Sequence, residues 1–174
     1  MTRVVADRRE GGSVGYLDLF SAADVVLDVA ASNKASVLEF LATEAAQRHG
    51  LAVQSVLDAL KAREQIGSTA LGKGIALPHA ELRGAESPAI LFARLSRPIG
   101  FGAEDDQPVD LVFMVLWPAM NRKGLLNAMS EICRALRDPQ ALRRLRIAAS
   151  PEEAARIVRE AAAADAHPSG AEEG

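Results

Sequence analysis

The sequence predicts an α/β domain whose sheet is covered by helices on both faces, and three observations predict it. Segments with helical and with strand periodicity alternate along the 174 residues instead of falling into separate blocks. The run Val109-Asp110-Leu111-Val112-Phe113-Met114-Val115-Leu116 is apolar almost throughout, as a strand buried on two sides must be. With 49% apolar and 25% charged residues, the chain has the composition of a soluble globular protein, and its length suits one core and not two.

Residues 1–16 are charged and glycine-rich and read as a flexible lead-in; residues 164–174, with Pro168, Gly170 and Gly174, read as a disordered tail. The folded domain is expected over residues 17–163. It opens with a β-branched run at 24–29, a strand. Ser32 is placed to cap a helix that continues through His49, with Val37, Leu38, Leu41 and Ala45 as its apolar stripe and Gly50 where a C-cap belongs. A second helix is expected over 53–63, with Val53, Val56, Leu57 and Leu60 on one side. Gly67, Gly72 and Gly74 then punctuate the chain before a short strand, Ile75-Ala76-Leu77, closed by Pro78. Strands follow at 89–95 and 109–116, and helices at 123–136, 139–147 and 151–163. The last begins well, because Pro151 suits a first helical turn and Glu152 and Glu153 suit its dipole.

Several classes of function are disfavoured at once. A formal charge of −3 offers no general attraction to nucleic acid or to an anionic membrane, and the cluster Arg143, Arg144, Arg146 reads as a solvated helix face. One cysteine, Cys133, allows no internal disulfide and no thiolate zinc site; it reads as a small buried hydrophobe. No run approaches the roughly 20 apolar residues that span a bilayer. No signal-type apolar core opens the chain, so the cytoplasm is expected.

Three histidines remain as candidates for chemistry. His167 lies in the tail, and His49 closes a helix, where a cation or donor suits the last carbonyls. His79 is different: it follows Pro78 at a strand end, just past a glycine-rich stretch. That stretch, Gly67-Ser68-Thr69-Ala70-Leu71-Gly72-Lys73-Gly74, nearly spells a nucleotide-binding P-loop. It fails because Gly74 stands where a magnesium-holding hydroxyl is needed, and because the loop leads into a strand and not a helix.

The same residues resemble another pattern closely. Glu64, then Leu71-Gly72, then Ile75-Ala76-Leu77-Pro78-His79 resembles the active-site signature of the fructose/mannitol-type (type 2) IIA domains of the bacterial phosphotransferase system. The likeness extends through Ala62-Arg63-Glu64-Gln65-Ile66-Gly67-Ser68-Thr69, Pro98-Ile99-Gly100-Phe101, Asp106-Gln107-Pro108-Val109-Asp110 and Arg143-Arg144-Leu145-Arg146. Within that family the Arg-Glu-x-x-Gly-Ser-Thr and Asp-x-Gln-Pro-Val-Asp stretches resemble the nitrogen-regulatory branch.

The resemblance implies a mixed β-sheet flanked by helices. It implies that His79 accepts a phosphoryl group from a phosphorylated HPr-like carrier, with Arg63 stabilising the phosphoryl oxygens and with Ser68 and Thr69 as lesser donors. The chain would then be a component of protein-histidine phosphotransfer and not a free-standing enzyme on small molecules, with no cofactor and no metal. Regulated targets in the branch include potassium-transport and sensor-kinase proteins, and the sequence does not choose among them. Two alternatives stay open: a sugar-specific IIA subunit feeding a IIB partner, and a binding module without phosphotransfer. Leu125 stands where many members carry a second active-site histidine, and Ala80 where glycine usually follows the first.

Chemistry supports the same residue independently. Neutral imidazole has one nitrogen lone pair; if Nδ1–H is anchored to a backbone carbonyl, Nε2 becomes the fixed nucleophile. A turn after Pro78 is expected to supply that carbonyl, and the small side chains of Ala76 and Ala80 to leave room for a partner's histidine. Arginine at 63 offers a planar fork for two phosphoryl oxygens, which lysine cannot reproduce.

Overall fold

A computed structural model describes residues 15–166. Strands β1 (Val25–Val29), β2 (Ala70–Gly72), β3 (Ile75–Ala76), β4 (His79–Leu82), β5 (Ala89–Ile99) and β6 (Val109–Pro118) form one sheet. Helices α1 (Lys34–His49), α2 (Val53–Ile66), α3 (Arg122–Ala135), α4 (Pro139–Ile147) and α5 (Pro151–Ala166) cover it.

The sheet is mixed. β1 runs parallel to β5, β5 antiparallel to β6, and β3 and β4 both run parallel to β6 along its other edge. β2 closes that edge as an antiparallel hairpin with β3. The hairpin turns through Lys73 and Gly74, at φ 56° and 79°; two left-handed central residues are what a tight primed turn needs. The end of the near-P-loop is therefore a hairpin turn, with Gly72 and Gly74 both at positive φ.

β6 explains the two-sided cover. Leu111, Phe113, Val115 and Trp117 pack with Leu17, Phe20, Phe92, Ile132 and Leu145 in one core, under α3, α4 and α5. Val112, Met114 and Leu116 pack with Leu38, Leu41, Val56 and Leu60 in the other, under α1 and α2. Alternation along one apolar strand thus feeds two cores.

Boundaries differ from the sequence expectation where polar side chains decide them. Asn33, one residue after Ser32, caps α1: its Oδ1 accepts from Ser36 N at 2.8 Å. α2 continues three residues past Arg63 to Ile66. α5 continues to Ala166, into the segment expected as tail. Tyr16, expected in the lead-in, lies in a 3-10 turn because the Glu131 carboxylate accepts from the amides of Tyr16 and Leu17, at 2.9 Å each. The rest of the lead-in, residues 1–14, and of the tail, residues 167–174 with His167, lie outside the described residues. β2 and β4 went unanticipated, being short strands without alternation long enough to read.

Arg146 departs from the solvated-face expectation. Its guanidinium takes both Asp110 oxygens, at 2.9–3.1 Å, and donates to Lys73 O at 2.6 Å, tying α4 to the β2–β3 hairpin. Arg144 pairs with Glu160 at 3.2 Å. Cys133 is partly buried against the α3–α5 core, and burial pushes its thiol upward.

Gly124 allows α3 to approach β6. A methyl there would lie 2.6 Å from Trp117 Nε1 and 2.8 Å from Asn121 Nδ2. Helix propensity alone would make Gly124→Ala stabilising by about 1 kcal/mol. The overlap with Trp117 outweighs that, so urea unfolding should show a net loss of about 1–3 kcal/mol; a gain would refute the close-approach role.

Candidate functional site

The site forms where the edge of the sheet is interrupted. β3 and β4 share β6 as partner, and between them Leu77-Pro78 steps out of the ladder. Pro78 has no N–H to give, while its carbonyl accepts from Val115 N at 2.9 Å. The Leu77 carbonyl is the one turned to a side chain: His79 Nδ1 lies 2.8 Å from it. A carbonyl can only accept, so Nδ1 carries the hydrogen and Nε2 keeps the lone pair. His79 itself opens β4, so the anchor comes from before the proline and not from a turn after it.

Alternation along β4 puts Ala80 and Leu82 into the α1–α2 core, opposite Leu116 and Pro118 of β6. His79 is the register partner of Val115, and its ring reaches the last turn of α2 at the edge of the sheet. Ala80 is not among the residues with positive φ, so alanine costs no backbone strain there. Ala76 and Ala80, whose small side chains were expected to leave room for a partner's histidine, bury their methyls in the α1–α2 core.

Arg63, in the last turn of α2, places Nε 3.1 Å from His79 Nε2 and donates from Nη1 to Gly67 O at 2.9 Å. Sixteen residues of separation are closed because α2 packs on β4. The guanidinium thus sits on the lone pair of the imidazole, held by the carbonyl that ends its own helix.

Ser68 and Thr69 face inward. Ser68 Oγ donates to Phe101 O at 2.6 Å and accepts from Ala70 N at 3.1 Å. Thr69 is buried, its Oγ1 and N bonded to the two Glu64 oxygens at 2.7 and 3.0 Å. Both hydroxyls therefore have protein partners within the wall of the site. Leu125 is buried near the start of α3, in the core with Trp117 and Ala128. Its side chain can neither donate nor accept.

Glu64 is the residue that sequence reasoning passed over. It appeared there only as a signature position, yet its side chain is 7% exposed and carries Lys34 Nζ at 2.7 Å besides the two Thr69 bonds. A carboxylate four residues past the buried helix position Leu60 was the available signal.

Burial is the largest influence on His79 and pushes its pKa below the ordinary 6.5. The bond to Leu77 pulls it back up, the Arg63 charge pushes it further down, and the Glu64 charge raises it. The ring is accordingly neutral at neutral pH. The folded chain then binds this proton less readily than the unfolded one, so stability is undisturbed above pH 6.5 and falls as acid protonates the unfolded state. Urea melts between pH 7.5 and 5.5 should show the parent losing more stability than a His79→Gln chain; equal losses would contradict the depressed value.

Among the described residues no group of three or more His, Cys, Asp or Glu is placed to hold a metal, and no helix is long and apolar enough to cross a membrane.

Fold and site together define a class: a mixed-sheet domain that presents one anchored imidazole beside an arginine at the broken edge of its sheet. Residues 18–161 match the family described as phosphoenolpyruvate-dependent sugar phosphotransferase system, EIIA 2, and the chain belongs to that family. It is 42% identical over 130 residues to a nitrogen regulatory protein of Klebsiella oxytoca, covering 74% of this chain and 80% of that one. The crystal structure of nitrogen regulatory protein IIA-Ntr from Neisseria meningitidis superposes with a TM-score of 0.77 at 29% identity, over 82% of this chain and 97% of that one. The IIA mannitol structure from Escherichia coli shares the fold, with a TM-score of 0.69 at 21% identity over 79% and 97% of the two chains. Within the family the chain falls in the nitrogen-regulatory branch.

Proposed function

We propose that the protein is a cytoplasmic regulatory phosphocarrier that takes a phosphoryl group onto Nε2 of His79 from a phosphorylated HPr-like protein. One observation carries the reading: Nδ1 is anchored to Leu77 O while Nε2 lies against the Arg63 guanidinium. The Nε2 lone pair attacks phosphorus as the phosphorus–nitrogen bond of the donor breaks, and that bond's electrons return to the donor ring. Nδ1 keeps its proton throughout, so the ring becomes positively charged beside the negative phosphoryl oxygens. Such a transfer asks mainly for positioning and charge stabilisation. Arg63 first caps the lone pair; once displaced by phosphorus, its fork is within reach of the equatorial oxygens.

The dianionic group added at one surface changes what that surface can bind, which is how a carrier of this kind regulates. The nitrogen-regulatory names of the relatives support regulation over sugar delivery. Incubation with phosphoenolpyruvate, enzyme I and the HPr-like carrier should give acid-labile, alkali-stable label mapping to the peptide that contains His79. Absence of label would leave only a binding module. Label that drains when a sugar and a IIB protein are added would select transport.

A further inference from the structure

We infer that Glu64 is a positioning residue for the His79 imidazole, acting through Thr69 and Leu77, with Lys34 as its counter-ion. The inference rests on His79 being the acceptor, and it names what holds the ring ready.

The bonds form one continuous chain. His79 Nδ1 donates to Leu77 O at 2.8 Å, and Leu77 N donates to Thr69 O at 2.9 Å. Thr69 N and Oγ1 donate to Glu64 Oε1 and Oε2 at 3.0 and 2.7 Å. Lys34 Nζ donates to Glu64 Oε1 at 2.7 Å and stands 4.7 Å from the centre of the Phe101 ring. Every donor points from the imidazole towards the carboxylate. Leu77 and Thr69 are both buried, so these bonds are shielded from water and orient one another strongly.

The arrangement does two things for one ring. It fixes the Leu77 carbonyl, and so the tautomer that leaves Nε2 unprotonated. It also sets a negative charge behind Nδ1, where positive charge develops as Nε2 bonds to phosphorus, in the manner of a carboxylate behind a catalytic imidazole. Lys34 balances that charge in the resting state; without it the carboxylate would favour a protonated ring, which cannot attack. The charges facing the imidazole are Arg63 and Glu64, both from α2. β6 offers Val115 and Trp117 alongside β4, Glu81 on β4 is exposed, and Arg122 and Lys123 at the start of α3 are exposed.

The test follows the His79 ring by NMR in the full chain, together with its labelling rate. Glu64→Gln keeps shape and removes charge, so the ring's titration midpoint should fall; Lys34→Met should raise it. Thr69→Val should weaken the preference for the Nδ1–H tautomer and Thr69→Ser should keep it. Labelling should slow about tenfold in Glu64→Gln and in Thr69→Val, the usual scale for partners one step removed from a reactive group, and return in Thr69→Ser. A purely structural network would lower stability in all variants without opposite shifts of the midpoint. Midpoints that stay put or move together, or a Thr69→Val chain with the parent's tautomer and rate, would overturn the inference. If the parent takes no label, the phosphocarrier reading fails on its own, while midpoint and tautomer still judge the network.

Discussion

His79→Gln is expected to lower phosphoryl acceptance by more than about a thousandfold, because removing a nucleophile removes the reaction and not merely a contact. Glutamine fills similar space, but its amide nitrogen has no lone pair available for attack. The fold should tolerate the change. His79 is half-buried at an edge strand, and among the described residues its side chain bonds to Leu77 O and Arg63. Each of these two hydrogen bonds is worth about 1 kcal/mol. β4 stays paired to β6 through its backbone, and the buried side chains of Ala80 and Leu82 are untouched. Label retained in the variant would point to His49 or His167 and would end the assignment. His49 is exposed at the last turn of α1, ahead of Gly50 at φ 66°; the Asp24 charge acts on it, but no hydrogen bond anchors its ring among the described residues. It has accessibility without preorganisation, and the comparison tests whether preorganisation is what matters.

The sequence made the framework legible where burial and periodicity coincide. β6 could be read from its apolar run, α5 from Pro151 and two acids, and the α1 terminus from Gly50. The site was legible for a different reason: its residues lie within one short stretch, from Arg63 to His79, where a local signature survives. What could not be read depends on contacts distant in sequence. β4 exists because β6 offers an edge and β2 because β3 offers one, not because Ala70–Gly72 or His79–Leu82 have strand character of their own. The Leu77 carbonyl is available because Pro78 interrupts that edge. The role of Arg146 needed Asp110 and Lys73, 36 and 73 residues away, and no helical wheel contains them. Ser68 and Thr69 were expected as lesser donors on the strength of the family resemblance. Their true partners, Phe101 O and Glu64, became visible only once the loop was folded.

Arg63→Lys tests the geometry of the site more sharply than removal of the charge does. Lysine keeps the positive charge, so long-range attraction for an approaching phosphohistidine survives. What it loses is the planar fork. In the parent, Nη1 is fixed by Gly67 O and Nε reaches Nε2 of His79, so the guanidinium plane is set before any phosphoryl group arrives. An ammonium on a flexible stem cannot hold Gly67 O and two phosphoryl oxygens in one orientation. Losing one preorganised donor to developing charge costs about 100-fold in rate, and lysine's retained charge should return part of that, leaving labelling slower by about 10- to 100-fold. Arg63→Ala should fall at or beyond the larger figure. Stability should hardly change in either variant, since Arg63 is only partly buried in the last turn of α2. Rapid-quench labelling against increasing HPr-like donor separates the possibilities. A lysine variant that needs more donor yet reaches the parent's maximal rate would make Arg63 a docking charge. One that binds the donor as well but transfers slowly would place the fork on the phosphoryl group itself, because only there does planarity matter more than charge.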